Sequence, residues 1–295
     1  MQAAGVLAAI LSSAIGGTAI VATRFLAATF DPITLGAVRF VGGATVLLPI
    51  AVLLRSPWPR RRDWAGTVAL GLLFFALFPV LFNAALRFTT AARGALALST
   101  LPVLTMVAAA LLGVERLTAR KCAGVALAVL GVAVALGVDL GAAPAGAWRG
   151  DLLMLAAASC MALYNVFSRP FIARSGAVAF AACGMAVGGA CLLALAAASG
   201  GLMHLAAATP AQGLALAHLA LACGALVFFL WAFALSRTTP TLVAISVAVN
   251  PLTASICGAL LLSEPIGIGL VLGFVAVVLG ILVALTAAAC RTDVD

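Results

Sequence analysis

Long apolar segments separated by short polar connections run along the whole chain. A helix needs about 20 apolar residues to cross the hydrocarbon core of a membrane. Breaking the chain at its charges, prolines and polar clusters leaves ten segments of roughly that length, here called spans one to ten. In chain order the spans cover residues 3–23, 32–54, 64–86, 92–113, 118–138, 150–169, 176–200, 211–235, 240–262 and 266–289. The pattern predicts an all-α integral membrane protein with ten transmembrane helices.

The composition excludes a soluble globular protein. Hydrophobic residues make up 65% of the chain and charged residues 8%, whereas a soluble domain carries roughly 25% charged residues. A net charge of +8 would suit nucleic-acid binding in a soluble protein, but here most cations lie in short connections that orient the chain in a bilayer. The lipid bilayer is therefore the predicted partner, and no nucleic acid is expected. The first span lacks the positive leading segment of a signal peptide, so we expect it to be retained.

Cations are distributed unequally between alternate connections. With the N-terminus inside the cell, eleven cations fall on the cytoplasmic side and four on the outer side. The cytoplasmic set is Arg55, Arg60, Arg61, Arg62, Arg116, Arg120, Lys121, Arg169, Arg174, Arg237 and Arg291, and the outer set is Arg24, Arg87, Arg93 and Arg149. Because cytoplasmic connections are enriched in Lys and Arg, both termini are predicted to be cytoplasmic. The abundance of Arg, Ala and Gly favours a bacterial source, and hence the bacterial inner membrane.

The second half of the chain repeats the first at an offset of 149 residues, without a gap between 85–136 and 234–285. The residues in register include Thr89-Thr90 with Thr238-Thr239, Pro102 with Pro251, Glu115 with Glu264, Gly124 with Gly273 and Gly131 with Gly280. Chance similarity between apolar segments would not align these residue types. The sequence therefore predicts two five-helix domains, 1–140 and 141–295. Because five is odd, the second half enters the membrane inverted, as in many secondary transporters.

Ten spans arranged as five plus five, with E-x8-G-x6-G opening the last span of each half, resemble the drug/metabolite transporter superfamily, EamA branch. Within that branch the chain is most similar to YddG-type amino-acid exporters. The resemblance implies a central cavity lined by spans one to four and six to nine. It also implies export of amino acids or similar metabolites by alternating access. The small multidrug-resistance relatives couple to protons through an acidic residue in their first span, which this chain lacks.

Acidic side chains lie only at the ends of spans and in connections. Glu115 and Glu264 precede or begin helices, where a negative charge meets the positive end of the helix dipole, so we interpret them as helix-start markers. This distribution favours facilitated export over tight proton coupling through a carboxylate. The chain has no nucleotide-binding loop, so ATP is not expected to drive it. It also lacks the clustered His, Asp, Glu or Cys of an enzyme or metal centre, so no catalytic residue, metal or cofactor is predicted.

Polar and aromatic side chains within the spans are the candidates for a substrate cavity. They are Arg39, Phe78, Phe82, Asn83, Tyr164, Asn165, His218, Trp231 and Asn250. Arg39 either has a structural role, extending to the outer interface or bonding to backbone carbonyls, or it binds a substrate carboxylate. The asparagines and Tyr164 either join helices by hydrogen bonds or line the cavity. His218 is either a structural, hydrogen-bonded residue or a pH-sensitive gate, and the aromatic residues either pack or line an apolar pocket.

Glycine and proline positions mark where spans approach closely or bend. The candidates for packing, kinks or gating are Gly16, Gly17, Pro79, Pro102 and Pro251. Taken together, the sequence predicts a secondary transporter for a small-molecule substrate. A channel, or an exporter of other metabolites or drugs, is the alternative. Ten helices suffice to enclose a cavity in one chain, so a monomer is compatible with this function, although the sequence leaves the oligomeric state open.

Overall fold

The computed structural model describes residues 2–114 and 146–263, with short stretches between 118 and 131 and between 272 and 279. Every regular element of this described part is helical, and seven helical segments are long and apolar enough to cross a membrane. The elements are α1 (Gln2–Leu26), α2 (Pro32–Leu53), α3 (Arg61–Phe88), α4 (Ala91–Leu98), α5 (Leu101–Leu111), α6 (Ala147–Arg174), α7 (Ala177–Ala198), α8 (Pro210–Arg237) and α9 (Pro240–Leu262).

The described helices correspond to predicted spans one to four and six to nine. Span four differs from its prediction, because it forms two short helices, α4 and α5, interrupted at Ser99 and Thr100. Gly124 and Gly131 are described and buried. The other repeat markers, Glu115, Glu264, Gly273 and Gly280, lie outside the described residues. The ends of the chain lie outside them as well.

Local capping residues start several helices in the short connections. Asp31 caps α2, its carboxylate accepting hydrogen bonds from the backbone N–H groups of Ile33 (3.0 Å) and Thr34 (2.9 Å). Partial burial raises the pKa of Asp31, but the hydrogen bonds, led by Thr34, outweigh it and hold that pKa below its usual value. Thr209 forms a capping box with Gln212 at the start of α8. Each cap satisfies backbone donors that a helix start would otherwise leave unpaired.

Four spans are interrupted, in two pairs at matching positions of the two halves. A π-helical turn interrupts α3 at Leu73–Leu77, and another interrupts α8 at Leu221–Leu226. The break between α4 and α5 is matched by a 3-10 turn, Val247–Val249, within α9. Both matches fall within one residue of the 149-residue offset seen in the sequence. π-turns often occur at functional sites, because they redirect side chains and free backbone carbonyls.

Helix packing is equivalent in the two halves of the described bundle. Helix α1 packs on α8 and α9, and its counterpart α6 packs on α3 and α5. Helices α2 and α7 pack on each other. Glycines allow the closest crossings: a Cβ added to Gly224 would touch the backbone oxygen of Arg39, and one added to Gly71 would lie 2.8 Å from the backbone oxygen of Gly184. Each main helix–helix interface therefore has an equivalent between the corresponding helices of the other half.

Two ion pairs lie at opposite ends of the bundle. Arg174 pairs with Asp63 at 2.7 Å, at the end where α3 begins and α6 finishes. Arg93 pairs with Asp151 at 2.7 Å, at the end where α4 and α6 begin. We call these the Arg174 end and the Asp151 end. Helix α1 starts at the Arg174 end, where a Cβ on Gly5 would lie 2.8 Å from Arg237 Cβ, so α1 and α6 run in opposite directions.

Candidate functional site

A cavity of about 40 Å³ lies at the centre of the described bundle. Its wall draws on α1, α2, α3, α4, α6, α8 and α9, so both halves of the chain enclose it. One buried water needs roughly 10–15 Å³, so this volume holds a few water molecules. Of the residues predicted for the cavity, the structure places Arg39, Phe78, Phe82, Trp231 and Asn250 against it. Gly16 from the list of kink candidates also lines it.

Arg39 is the charged residue of this cavity wall. The residue is only 5% exposed, and its Nε and Nη2 donate hydrogen bonds to the backbone oxygen of Cys223, at 3.3 and 3.1 Å. That carbonyl belongs to the π-turn of α8. The guanidinium carbon lies 5.2 Å from the ring centre of Phe40 and 5.5 Å from that of Phe228. Arg39 thus both bonds to a backbone carbonyl and faces the cavity, combining features of the two alternatives given by the sequence.

No acidic residue in the described part of the chain forms an ion pair with Arg39. A buried charge is costly unless it is paired and hydrogen-bonded. The Cys223 carbonyl and the aromatic rings stabilise the guanidinium, but they do not neutralise it. The described part of the cavity wall therefore carries one positive charge that no acidic side chain neutralises.

Asn250 provides the second polar group of the cavity. It is 6% exposed, and its Oδ1 has no hydrogen-bond partner in the part of the chain that the structure describes. The 3-10 turn Val247–Val249 ends at this residue, and Pro251 follows in the first turn of the next helical segment. A Cβ added to Gly16 would lie 3.3 Å from Asn250 Oδ1, so the glycine leaves room for this amide.

The hydroxyl groups of the cavity wall are already engaged within the protein. Ser12 Oγ donates to the backbone oxygen of Val227 at 2.8 Å, and Ser13 Oγ lies 2.9 Å from Ser246 Oγ. Both serines therefore join α1 to the second half of the chain. The sequence analysis did not single out these residues, because serines are common in membrane helices and nothing in their spacing marks a cavity.

Aromatic rings form the apolar side of the cavity, with Phe78, Phe82, Phe228 and Trp231 in its wall. Trp231 Nε1 donates to Asn165 Oδ1 at 3.0 Å, which fixes the orientation of the indole ring. Tyr164 lies behind this wall, stacked on Phe74 with ring centres 4.1 Å apart. Asn165 and Tyr164 thus support the wall from outside the cavity.

Other predicted residues lie away from the cavity. Asn83 Nδ2 donates to the backbone oxygen of Pro32 at 2.9 Å, joining α3 to α2. His218 Nε2 lies 2.8 Å from Thr18 Oγ1 and 3.3 Å from Cys223 Sγ. The histidine therefore contacts α1 and the same Cys223 whose carbonyl accepts from Arg39.

The remaining kink candidates start helical segments or mark close contacts. Pro79 follows the π-turn of α3, and Pro102 lies in the first turn of α5. A Cβ on Gly17 would lie 2.8 Å from the backbone oxygen of Asn250, so Gly17 permits α1 and α9 to touch.

The 149-residue offset would have identified further members of the wall. Phe78 corresponds to Val227, Phe82 to Trp231 and Leu98 to Val247, and all six residues line the cavity. Equivalent positions of the two halves thus meet at the centre of the bundle. Polarity alone gave no reason to select Val227, Leu98 or Val247.

Comparisons with known proteins place the chain among membrane transporters. The sequence profile of the EamA-like transporter family matches it twice, at residues 3–137 and 148–286. The uncharacterized protein PA1977 of Pseudomonas aeruginosa is 33% identical over 247 residues, covering 80% of this chain and 78% of that protein. The uncharacterized transporter YyaM of Bacillus subtilis is 26% identical over 153 residues, half of each chain. A solved crystal structure superposes on this chain with a TM-score of 0.71, and the match covers 98% of this chain and 97% of the other. The two sequences are 23% identical, so this similarity supports the fold alone.

Proposed function

Since the chain belongs to the EamA-like transporter family, we propose that it is a secondary transporter that exports amino acids, neutral and aromatic ones included, or related small metabolites. The observation that carries the proposal is the central cavity, whose described wall contains a buried guanidinium, the amide of Asn250 and several aromatic rings from both halves of the chain. The Oδ1 atom of that amide has no hydrogen-bond partner among the described residues. Small-molecule sites are typically concave and apolar, with a few placed polar groups that orient the ligand. The family provides the transport activity, and the cavity wall provides the polar and apolar groups that a substrate would contact in a wider conformation.

The proposed architecture is ten spans in two inverted domains, 1–140 and 141–295. Several observations support it: the family profile matches twice, the helix interruptions recur at the sequence offset, and α1 and α6 run in opposite directions. Among the described cations, the Arg174 end carries Arg55, Arg60, Arg61, Arg62, Arg169, Arg174 and Arg237, whereas the Asp151 end carries Arg24, Arg87, Arg93 and Arg149. This asymmetry supports, by the positive-inside rule, a cytoplasmic Arg174 end and the proposed cytoplasmic location of both termini in a bacterial inner membrane.

The proposed mechanism is alternating access around the central cavity. At about 40 Å³ the cavity is smaller than an amino acid, so the substrate must enter a wider conformation. The ion pairs Asp63–Arg174 and Arg93–Asp151 each join the first half to α6, and both are formed. Rocking of one half against the other would open one end while keeping the opposite pair closed.

Neutralising one ion pair is expected to open one end of the bundle in preference to the other. Asp63→Asn should increase access from the Arg174 end, and Asp151→Asn should increase access from the Asp151 end. Partly exposed ion pairs are weak, so the shift in access should be at most about fivefold. Access is measured with a cysteine placed in the cavity by Ser13→Cys. A membrane-impermeant maleimide is added to one side of sealed vesicles, and the rate at which it alkylates this cysteine reports access from that side. The chain without the reporter is the control, and equal changes on both sides for both variants would rule out the two-gate interpretation.

The function itself is tested by counterflow in proteoliposomes. We expect saturable exchange of a neutral amino acid without an imposed proton gradient, because no carboxylate of the described residues lines the cavity. Liposomes without protein provide the control for leak. Strict dependence on a proton gradient would contradict facilitated export. Flux that does not saturate and shows no counterflow would favour a channel instead.

A further inference from the structure

We propose that Arg39 and Asn250 form a two-point site for a small monocarboxylate that also carries a hydrogen-bond donor and an apolar side chain. Arg39 would bind the carboxylate, and Asn250 Oδ1 would accept from an amino or hydroxyl group. This inference rests on the proposed transport function and adds the chemical class of the substrate. Neutral α-amino acids and α-hydroxy acids share this chemistry.

The first point of the site is the unused donor capacity of Arg39. A guanidinium has five N–H donors. The hydrogen bonds to the Cys223 carbonyl use the N–H of Nε and one N–H of Nη2. Within the described residues Nη1 donates no hydrogen bond, and no acid pairs with the charge. The planar fork of Arg matches a carboxylate in a bidentate arrangement, and such charge-assisted hydrogen bonds are the strong ones. A carboxylate in the cavity would complete this pairing.

The second point is the free acceptor of Asn250. Its Oδ1 is buried and unpartnered among the described residues, although buried polar groups are almost always hydrogen-bonded. Ser12 and Ser13 cannot donate to it without giving up their bonds to Val227 and Ser246. In the wider conformation that admits the substrate, a substrate N–H or O–H would satisfy the amide oxygen. The amide oxygen of Asn250 can accept from either an ammonium or a hydroxyl group.

The charge and the walls of the cavity narrow the class further. One buried positive charge balances one negative charge, so a dianionic phosphate ester would bring an uncompensated charge into the bundle. A cationic amine without a carboxylate would face Arg39 with like charge. The rings of Phe78, Phe82 and Trp231 provide apolar contact for a side chain. These features together select a monocarboxylate with an apolar or aromatic side chain.

A set of four ligands with the same phenyl ring separates the two points of recognition. Phenylalanine carries the carboxylate and an amino donor, and phenyllactate carries the carboxylate and a hydroxyl donor. 3-Phenylpropanoate lacks the donor, and phenethylamine lacks the carboxylate. Affinities are measured by equilibrium binding to the purified full-length protein in lipid nanodiscs. We expect phenylalanine or phenyllactate to bind at least about tenfold more tightly than the other two, and the ratio of their affinities identifies the preferred donor.

Two variants assign each point to its residue. Arg39→Gln should weaken binding of the preferred ligand by about 30-fold or more, because it removes one partner of a buried charge pair. Asn250→Ala should weaken it by about tenfold and leave 3-phenylpropanoate unchanged. Arg24→Gln and Asn83→Ala are matched controls, since both side chains donate to backbone carbonyls outside the cavity wall. If Arg39→Gln does not fold, the Asn250→Ala comparison alone still tests the site.

The inference would be overturned if Arg39→Gln bound the preferred ligand with unchanged affinity, or if phenethylamine bound best. It would also fail if Asn250→Ala weakened phenylalanine and 3-phenylpropanoate equally. These results would not affect the transport proposal if another solute still showed saturable counterflow. If no solute showed counterflow but the ligands still bound in nanodiscs as expected, the transport proposal would be contradicted. The proposed binding site would then still stand.

Discussion

Replacing Gly17 by valine is expected to destabilise the folded bundle by about 3 kcal/mol, the upper part of the range for overpacked cores. A Cβ at this position would meet Thr253 Oγ1 and lie 2.8 Å from the backbone oxygen of Asn250. The Thr253 side chain can rotate, but the backbone of α9 cannot yield without moving away from α1. We expect the midpoint denaturant concentration for unfolding in mixed micelles to fall by a large amount. Tryptophan fluorescence measures this unfolding.

The matched control is Gly213→Val on the surface of α8. No atom of the described residues lies within 4 Å of a Cβ built on Gly213, so the valine meets no neighbour in that part of the chain. Exposed substitutions usually change stability by at most about 0.5 kcal/mol. If Gly17→Val unfolded at the same denaturant concentration as Gly213→Val, the close contact between α1 and α9 would be disproved.

Replacing Gly224 by valine should destabilise the protein by a similar amount, about 3 kcal/mol, and abolish transport. Gly224 lies in the π-turn of α8, where a Cβ would meet the backbone oxygen of Arg39 and lie 3.3 Å from Gly43 Cα. These atoms belong to the backbone, so α8 must move away from α2. That movement would take the Cys223 carbonyl away from the Arg39 guanidinium.

Transport and stability are measured together for this variant, by counterflow in proteoliposomes and by unfolding in micelles. Leu221→Val is the control, because Leu221 lies in the same π-turn but is 56% exposed. It should retain both folding and transport. A Gly224→Val protein that transported normally would show that α2 and α8 do not need this close contact.

Several helices could be located from the sequence because the membrane imposes a simple requirement. The predicted span 32–54 is α2 (Pro32–Leu53), and the predicted span 240–262 is α9 (Pro240–Leu262). The capped start of α2 and the prolines at both starts are visible in the sequence itself. The interruption of span four at Ser99 and Thr100 was not predicted, since the apolar segment continues through it.

The cavity residues were only partly predictable. Arg39 and Asn250 attracted attention because polar groups in apolar spans are costly, and both line the cavity. By the same criterion Asn83 and His218 were equal candidates, yet they bond to Pro32 and Thr18 elsewhere in the bundle. Polarity indicates that a side chain needs a partner, but it does not distinguish a neighbouring helix from a substrate.

Length and hydropathy were enough to predict a multi-pass membrane protein and the positions of the described spans, and residue identities in register gave the internal offset, because each depends on order along the chain. The membership of the cavity depends on the rotation of each helix and on which helices touch. In a soluble helix, an apolar stripe reveals the inner face. Here lipid makes both faces apolar, so the sequence carries little of that signal. Glycine contacts, π-turns and packing between the halves decided which side chains line the cavity together with Arg39.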